Sequence, residues 1–90
     1  MAKRAKLEII RDILEIIKDN FNSIKPTPLI RKSNLSTSRF KEYYAELKNK
    51  GFIQEIEKGK NNRRISLTEK GSKFLEKYRT IVEFIEEFEL

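Results

Sequence analysis

The sequence contains no cysteine and no histidine. Disulfides and thiolate metal sites are therefore excluded, and with histidine go the commonest metal ligand and the usual general base at neutral pH. A chain without cysteine fits an intracellular location. No apolar run exceeds three residues, the longest being Tyr43, Tyr44 and Ala45. A membrane span and a signal-peptide core are both missing, despite the basic start MAKR. The chain reads as soluble, unexported and cytoplasmic. A glycine-rich phosphate cradle and a convincing acid pair are lacking too, which leaves catalysis without machinery: no enzyme, no cofactor and no small-molecule substrate are expected.

What is present is charge, unevenly spread. The 90 residues carry 20 Lys plus Arg against 14 Asp plus Glu, a net +6. Residues 1–73 hold 18 cations and 9 acids, whereas residues 74–90 hold 2 cations and 5 acids. A basic body favours an anionic partner such as nucleic acid or a lipid surface, and the acidic tail reads as a part with a different job. The length suits one domain with a modest core.

Apolar periodicity then orders the chain. Leu7, Ile10, Leu14, Ile17 and Phe21 recur at helical spacing, which predicts a helix from Lys6 to Phe21; Ile9, Ile13 and Ile16 widen its apolar face to about half the circumference. Ser23 to Lys25 reads as a short extended segment before Pro26. Thr27 as N-cap and Pro28 at the first helical position predict a brief helix to Ser33, burying Leu29 and Ile30 and showing Arg31 and Lys32. After the polar break SNLSTS, a third helix begins near Ser36 and stops at Gly51, with Phe40, Tyr44 and Leu47 on its inner face.

FIQEIE and RISLT alternate, with Phe52 and Ile56 sharing one side and Ile65 and Leu67 another, and predict a β-hairpin. The loop between them, KGKNNRR, gathers Lys58, Lys60, Arg63 and Arg64 around one glycine with no acid. Thr68 caps a last helix running to the C-terminus. In it Phe74, Tyr78, Ile81, Ile85 and Phe88 step by four, three, four and three, a coiled-coil seam about two heptads long.

Two helices joined by a tight polar turn, followed by a hairpin with a basic tip, is the order of a winged helix-turn-helix. The fold class is mainly α with a small β-hairpin (α+β), ending in a long C-terminal helix. The major groove of duplex DNA admits one helix, and a hairpin beside it reaches flanking phosphates, where each neutralised phosphate releases counterions. Asn61 and Asn62 can add hydrogen bonds there. On the third helix Ser38, Glu42, Ala45 and Asn49 lie opposite the inner face, flanked by Arg39 and Lys41. Glu42 could accept from a cytosine amino group, but near phosphates it would otherwise be repelled, and with Ser38 and Ala45 beside it strong base readout is not expected. Tyr43 and Tyr44 could stack on bases, yet core packing suits them better. Glu83, Glu86, Glu87 and Glu89 read as a hydrated helix end and not as a cation site.

The segments AKLEIIRDILEII (5–17), RKSNLSTSRFKEYYAELKNKGFI (31–53) and ISLTEKGSKFLEKY (65–78) resemble the small archaeal DNA-binding proteins of Sulfolobus-type chromatin. TEKG alone is common among winged helices. The resemblance covers most of the chain and implies a winged helix that dimerises through an antiparallel coiled coil of its C-terminal helices and binds duplex DNA with little sequence preference. The family's final helix is often longer, so the implied coiled coil is short.

The expectations are therefore a DNA-binding domain over residues 1–73 and a dimerisation segment over 74–90. Arg31, Lys32, Thr37, Ser38, Arg39, Lys41, Glu42, Lys58, Lys60, Asn61, Asn62, Arg63 and Arg64 are the candidate DNA contacts. Phe74, Tyr78, Ile81, Ile85 and Phe88 are the candidate dimer contacts. The partners are double-stranded DNA and a second copy, in a nucleoid-associated protein of chromatin or of transcription regulation. Sequence-specific repression through two half-sites, and a protein-interaction module without DNA binding, are the rival readings.

Overall fold

The computed structural model describes residues 5–57 and 59–90. Helices α1 (Lys6–Asp19), α2 (Pro26–Ser33) and α3 (Thr37–Asn49) precede an antiparallel hairpin of β1 (Ile53–Glu57) and β2 (Arg63–Leu67), and α4 (Glu69–Glu87) closes the chain. This is the mainly α, winged helix-turn-helix order that the sequence predicts, ending in a C-terminal helix.

The core is built around α1. Ile9, Ile10, Ile13, Leu14 and Ile17 are all buried, so both apolar stripes of this helix are used. Side chains as fully enclosed as Leu14 and Ile17 each contribute about 2 kcal/mol through burial. The ends of the stripe depart from expectation. The helix stops at Asp19, and Phe21 takes a left-handed φ of 59° with its side chain 95% exposed. Two successive positive-φ residues, Phe21 and Asn22, turn the chain away from the core, so periodicity continues past the point where the backbone has left the helix. Leu7, in the first turn, is exposed as well.

The turn sends Ser23 to Lys25 along β2, as the extended reading required. Ile24 N–H donates to the Ile65 carbonyl (3.1 Å) and Ile65 N–H to the Ile24 carbonyl (2.7 Å), an isolated antiparallel bridge on the outer edge of the hairpin. Asn22 Oδ1 accepts from Leu67 N–H at 2.7 Å, which ties the turn to the end of β2.

Helix α2 begins two residues before the expected start. Lys25 is the extended N-cap residue and Pro26, not Pro28, sits at N1, so Thr27 lies inside the helix. Either proline fits a first turn, because neither N–H is needed there; the extended bridge at Ile24 fixes which one is used. The helix ends on Asn34 in the left-handed region, φ 60°. Leu29 is fully buried and Ile30 half-buried, with Arg31 and Lys32 exposed.

In the hairpin, Ile53 faces Leu67 and Glu55 faces Ile65. The side of β1 turned to the core is therefore Ile53 with Glu55, whereas Ile56, grouped with Phe52 in the sequence reading, is exposed and Phe52 only half-buried. Alternation sorts strand residues into two sets, but the partner strand decides which set is covered.

Thr68 caps α4 as predicted, its Oγ1 accepting from Gly71 N–H at 3.1 Å. Gly71 is set against the start of the hairpin so closely that a Cβ there would lie 2.2 Å from the Phe52 carbonyl oxygen. Leu75 is buried, the Phe74 ring meets Phe52 edge-on at 5.4 Å, and Arg11 of α1 lies 5.4 Å over the Tyr78 ring. From Glu83 onward every residue is exposed. Among the described residues no helix is long and apolar enough to cross a membrane.

Candidate nucleic-acid interface

Helix α3 is oriented by its inner side. Phe40 and Leu47 are buried, Tyr44 stacks on Phe40 with centroids 5.8 Å apart, and Ser36 caps the first turn by accepting from Arg39 N–H at 3.3 Å. Burying that face presents the opposite one to solvent: Thr37, Ser38, Arg39, Lys41, Glu42, Ala45, Lys48 and Asn49 are all exposed. No acid occupies the first turn of α3, so the positive end of its dipole is left uncompensated by carboxylates there.

The hairpin is fastened to this helix by one carboxylate. Glu55, turned inward on β1, accepts from Lys48 Nζ of α3 through Oε1, while its Oε2 lies 3.2 Å from Arg63 Nη1 on β2. Hydrogen bonding from Lys48, with the charges of Lys48 and Arg63 behind it, holds the Glu55 carboxyl below its ordinary range although partial burial opposes this. Burial and the neighbouring Glu55 charge push the Tyr44 phenol well up. On the far flank of α3, Lys6 of α1 bonds Glu46 at 2.8 Å, and that contact depresses the Glu46 carboxyl and raises the Lys6 ammonium.

Of the four loop cations, Lys58 lies outside the described residues. Lys60 is exposed at a tip that turns through Gly59 and Asn61, both at positive φ. Arg63 is held by Glu55. Arg64 has a different setting: its Nε donates to Ser23 Oγ at 2.5 Å and Nη2 to the Ser23 carbonyl at 3.0 Å, so it fastens the hairpin to the segment before α2. Asn61, Asn62 and Arg63 together with Lys25 and the first turn of α2 border an open cleft of about 510 Å³. The α2 start and the hairpin thus share one cleft, which Glu57 also borders, with Arg31 and Lys32 at the other end of α2.

The sequence profile of the winged helix-turn-helix family matches residues 3–86. The chain belongs to that family. No curated protein matches it. Among solved structures, the fold is similar to that of Sso10a-2, a DNA-binding protein from Sulfolobus solfataricus, with a TM-score of 0.72 and 23% identity, covering 94% of this chain and 85% of that one. It is similar also to a protein assigned as a transcriptional regulator from Pseudomonas aeruginosa, with a TM-score of 0.70 and 19% identity, covering 96% of this chain; the present chain spans 63% of that one. At these identities the likeness speaks for the fold. Winged helix-turn-helix domains bind and do not catalyse, and among the described residues no group of His, Cys, Asp and Glu could hold a metal ion.

In this winged helix the candidate dimer residues divide. Phe74 and Tyr78 contact their own body through Phe52 and Arg11. Ile81 and Phe88, each 58% exposed, and Ile85 stand free of it, joined by Leu90 at 81%. The structure adds Phe84, whose ring lies 4.8 Å from that of Phe88. The i, i+4 spacing of two phenylalanines was the available signal for it. Sequence reasoning also missed Glu55, because the hairpin was read for its apolar residues.

Proposed function

We propose that this winged helix binds double-stranded DNA as a homodimer, with α3 in the major groove, the wing on flanking backbone, and a role in chromatin association or transcription regulation. The observation that carries the reading is the Glu55 bridge. It ties the wing to α3, which puts Lys48 on the helix and Arg63 on the hairpin at one carboxylate. Exposed Lys41 on α3 and Lys60 at the hairpin tip are further cations for a duplex, with Arg39 on another side of the helix by its period. Phosphate contacts from these cations position a duplex, and base edges meet whatever the helix presents at its centre. Thr37, Ser38 and Glu42 occupy the first two turns, where a groove-bound helix makes its contacts. Arg31 and Lys32 add cations from α2. The structural likeness to a DNA-binding protein and to a regulator supports the same reading.

The homodimer rests on the last turns of α4, where Ile81, Phe84, Ile85 and Phe88 are apolar, exposed and continuous. Glu83, Glu86 and Glu87 lie on other faces of the helix by its period, which leaves the seam free of acids. A second copy, crossing as a short coiled coil, covers it.

Gel-shift titrations on unrelated duplexes at two salt concentrations test the reading. The expected result is duplex binding at low salt that weakens at least tenfold between 50 and 200 mM, since several phosphates must be neutralised. Failure to retain any duplex at low salt, with a specific protein captured instead, would transfer the surface to the protein-interaction reading.

A further inference from the structure

We propose that Glu42 is the residue by which this chain selects among DNA sequences, accepting a hydrogen bond from a cytosine amino group in the major groove. The inference rests on the DNA-binding reading above and deepens it, because it makes the protein selective where an undifferentiated basic surface would not be.

Helix α3 carries two acids, and the fold treats them differently. Glu46 takes Lys6 at 2.8 Å and Lys50 at 3.7 Å. Glu42, one turn earlier, is exposed, borders the same shallow hollow as Lys6 and Arg39, and has no ion pair among the described residues. Its spacing from Glu46 is i, i+4, a like-charge pair that weakens the helix. It stands beyond the first turn, where an acid would have helped the dipole. Arg39, three residues earlier, and Lys6 border the hollow with it, yet neither forms an ion pair with it, so the Glu42 carboxylate is exposed and open to a donor from outside.

Its place on the surface is central. By the helical period Glu42 lies between Ser38, Ala45 and Asn49, with Arg39 to one flank and Lys41 to the other. Ser38 and Ala45 are too short to compete with it for a base edge. A carboxylate pressed toward a polyanion is repelled unless it finds a donor, and the cytosine N4 amino group is the base-edge donor suited to it. The flanking cations then hold the backbone while the acid rejects base pairs that offer it only acceptors or a methyl group. Repulsion on the wrong sequence is as much a part of the selectivity as attraction on the right one.

The test uses the full chain and a randomised duplex pool at low salt, comparing wild type with Glu42→Ala after circular dichroism has established that both fold. The wild type is expected to enrich cytosine at one fixed position of each bound site, with about a tenfold preference over thymine there. Glu42→Ala is expected to lose that enrichment and to bind unselected duplex at least about threefold more tightly, since a repulsive charge is gone. A flat wild-type pool, or enrichment that survives in Glu42→Ala, overturns the proposal while leaving DNA binding intact. A wild type that retains no duplex at all removes the DNA reading and this inference with it.

Discussion

Glu55 Oε2 stands 3.2 Å from Arg63 Nη1 while Oε1 accepts from Lys48, so one carboxylate joins the wing to α3. Its register partner is Ile65 and that of Arg63 is Glu57; the arginine thus reaches past its directly opposed acid to the more enclosed one. Replacing Glu55 by Gln leaves the shape and removes the charge. At neutral pH the variant is expected to lose about 1 kcal/mol of stability, the upper range for a partly exposed ion pair. The folded carboxyl sits below its ordinary value of 4.5, so this stabilisation is complete above that value and disappears as pH falls through the depressed one. Thermal melts should therefore separate wild type from Glu55→Gln at pH 7 and bring them together as the pH falls below the depressed value; an unchanged gap would remove the bridge from the stability of the wing.

Arg63 and Arg64 are neighbours in sequence and have different settings in the fold. Arg64 gives two hydrogen bonds to Ser23, which is 41 residues away, so Arg64→Ala is expected to destabilise by about 1–2 kcal/mol as charged donors are lost. Arg63→Ala gives up a more exposed contact and should melt nearly with wild type. On duplex DNA the order reverses in kind: Arg63→Ala is expected to flatten the dependence of log K on log salt by about 0.9, one phosphate contact. Equal salt slopes for Arg63→Ala and wild type would take Arg63 off the DNA surface.

That pair shows where the sequence stops being legible. The helix faces could be read because their period is local, and so could the cap at Thr68, bonded three residues ahead. The extended segment at Ile24 could be read from the proline that follows. The partners of Arg64 and Glu55 lie in other elements, and nothing in KGKNNRR distinguishes an arginine aimed at solvent from one turned onto Ser23. The same limit explains Phe21: it obeys the spacing of α1, but the left-handed turn that removes it is fixed by Asn22 bonding Leu67, 45 residues away. It explains α2 as well, since two prolines two residues apart offer the same signal and a tertiary bridge chooses between them.

Gly71 meets the chain where α4 starts. A methyl group added there would stand 2.2 Å from the Phe52 carbonyl oxygen, the acceptor for Thr68 N–H. Alanine is the better helix former by about 1 kcal/mol, which would stabilise α4 in isolation. The clash is with backbone, so the helix start must move, at a cost of about 1–3 kcal/mol, and should offset that gain. Gly71→Ala is therefore expected to lower stability by about 1 kcal/mol in urea titration, against the propensity scale. A stabilised variant would mean that α4 and β1 can separate without loss.

The last turns of α4 decide the assembly. Phe84 and Phe88 are exposed, so replacing both by Asp removes no contact with the body of the same chain and should leave the thermal melt of a monomer unaltered. If a second copy covers them, two acids facing their symmetry mates open the pair, because buried unpaired charge is far costlier than the apolar contact it replaces. Sedimentation of wild type at micromolar concentration is expected to give twice the chain mass, and the double variant the mass of one chain. Duplex affinity should fall with it, at least tenfold, because two linked domains bind with an effective concentration that a single domain lacks. A wild type that sediments as one chain would refute the seam; a variant that stays dimeric would move the contact to another face.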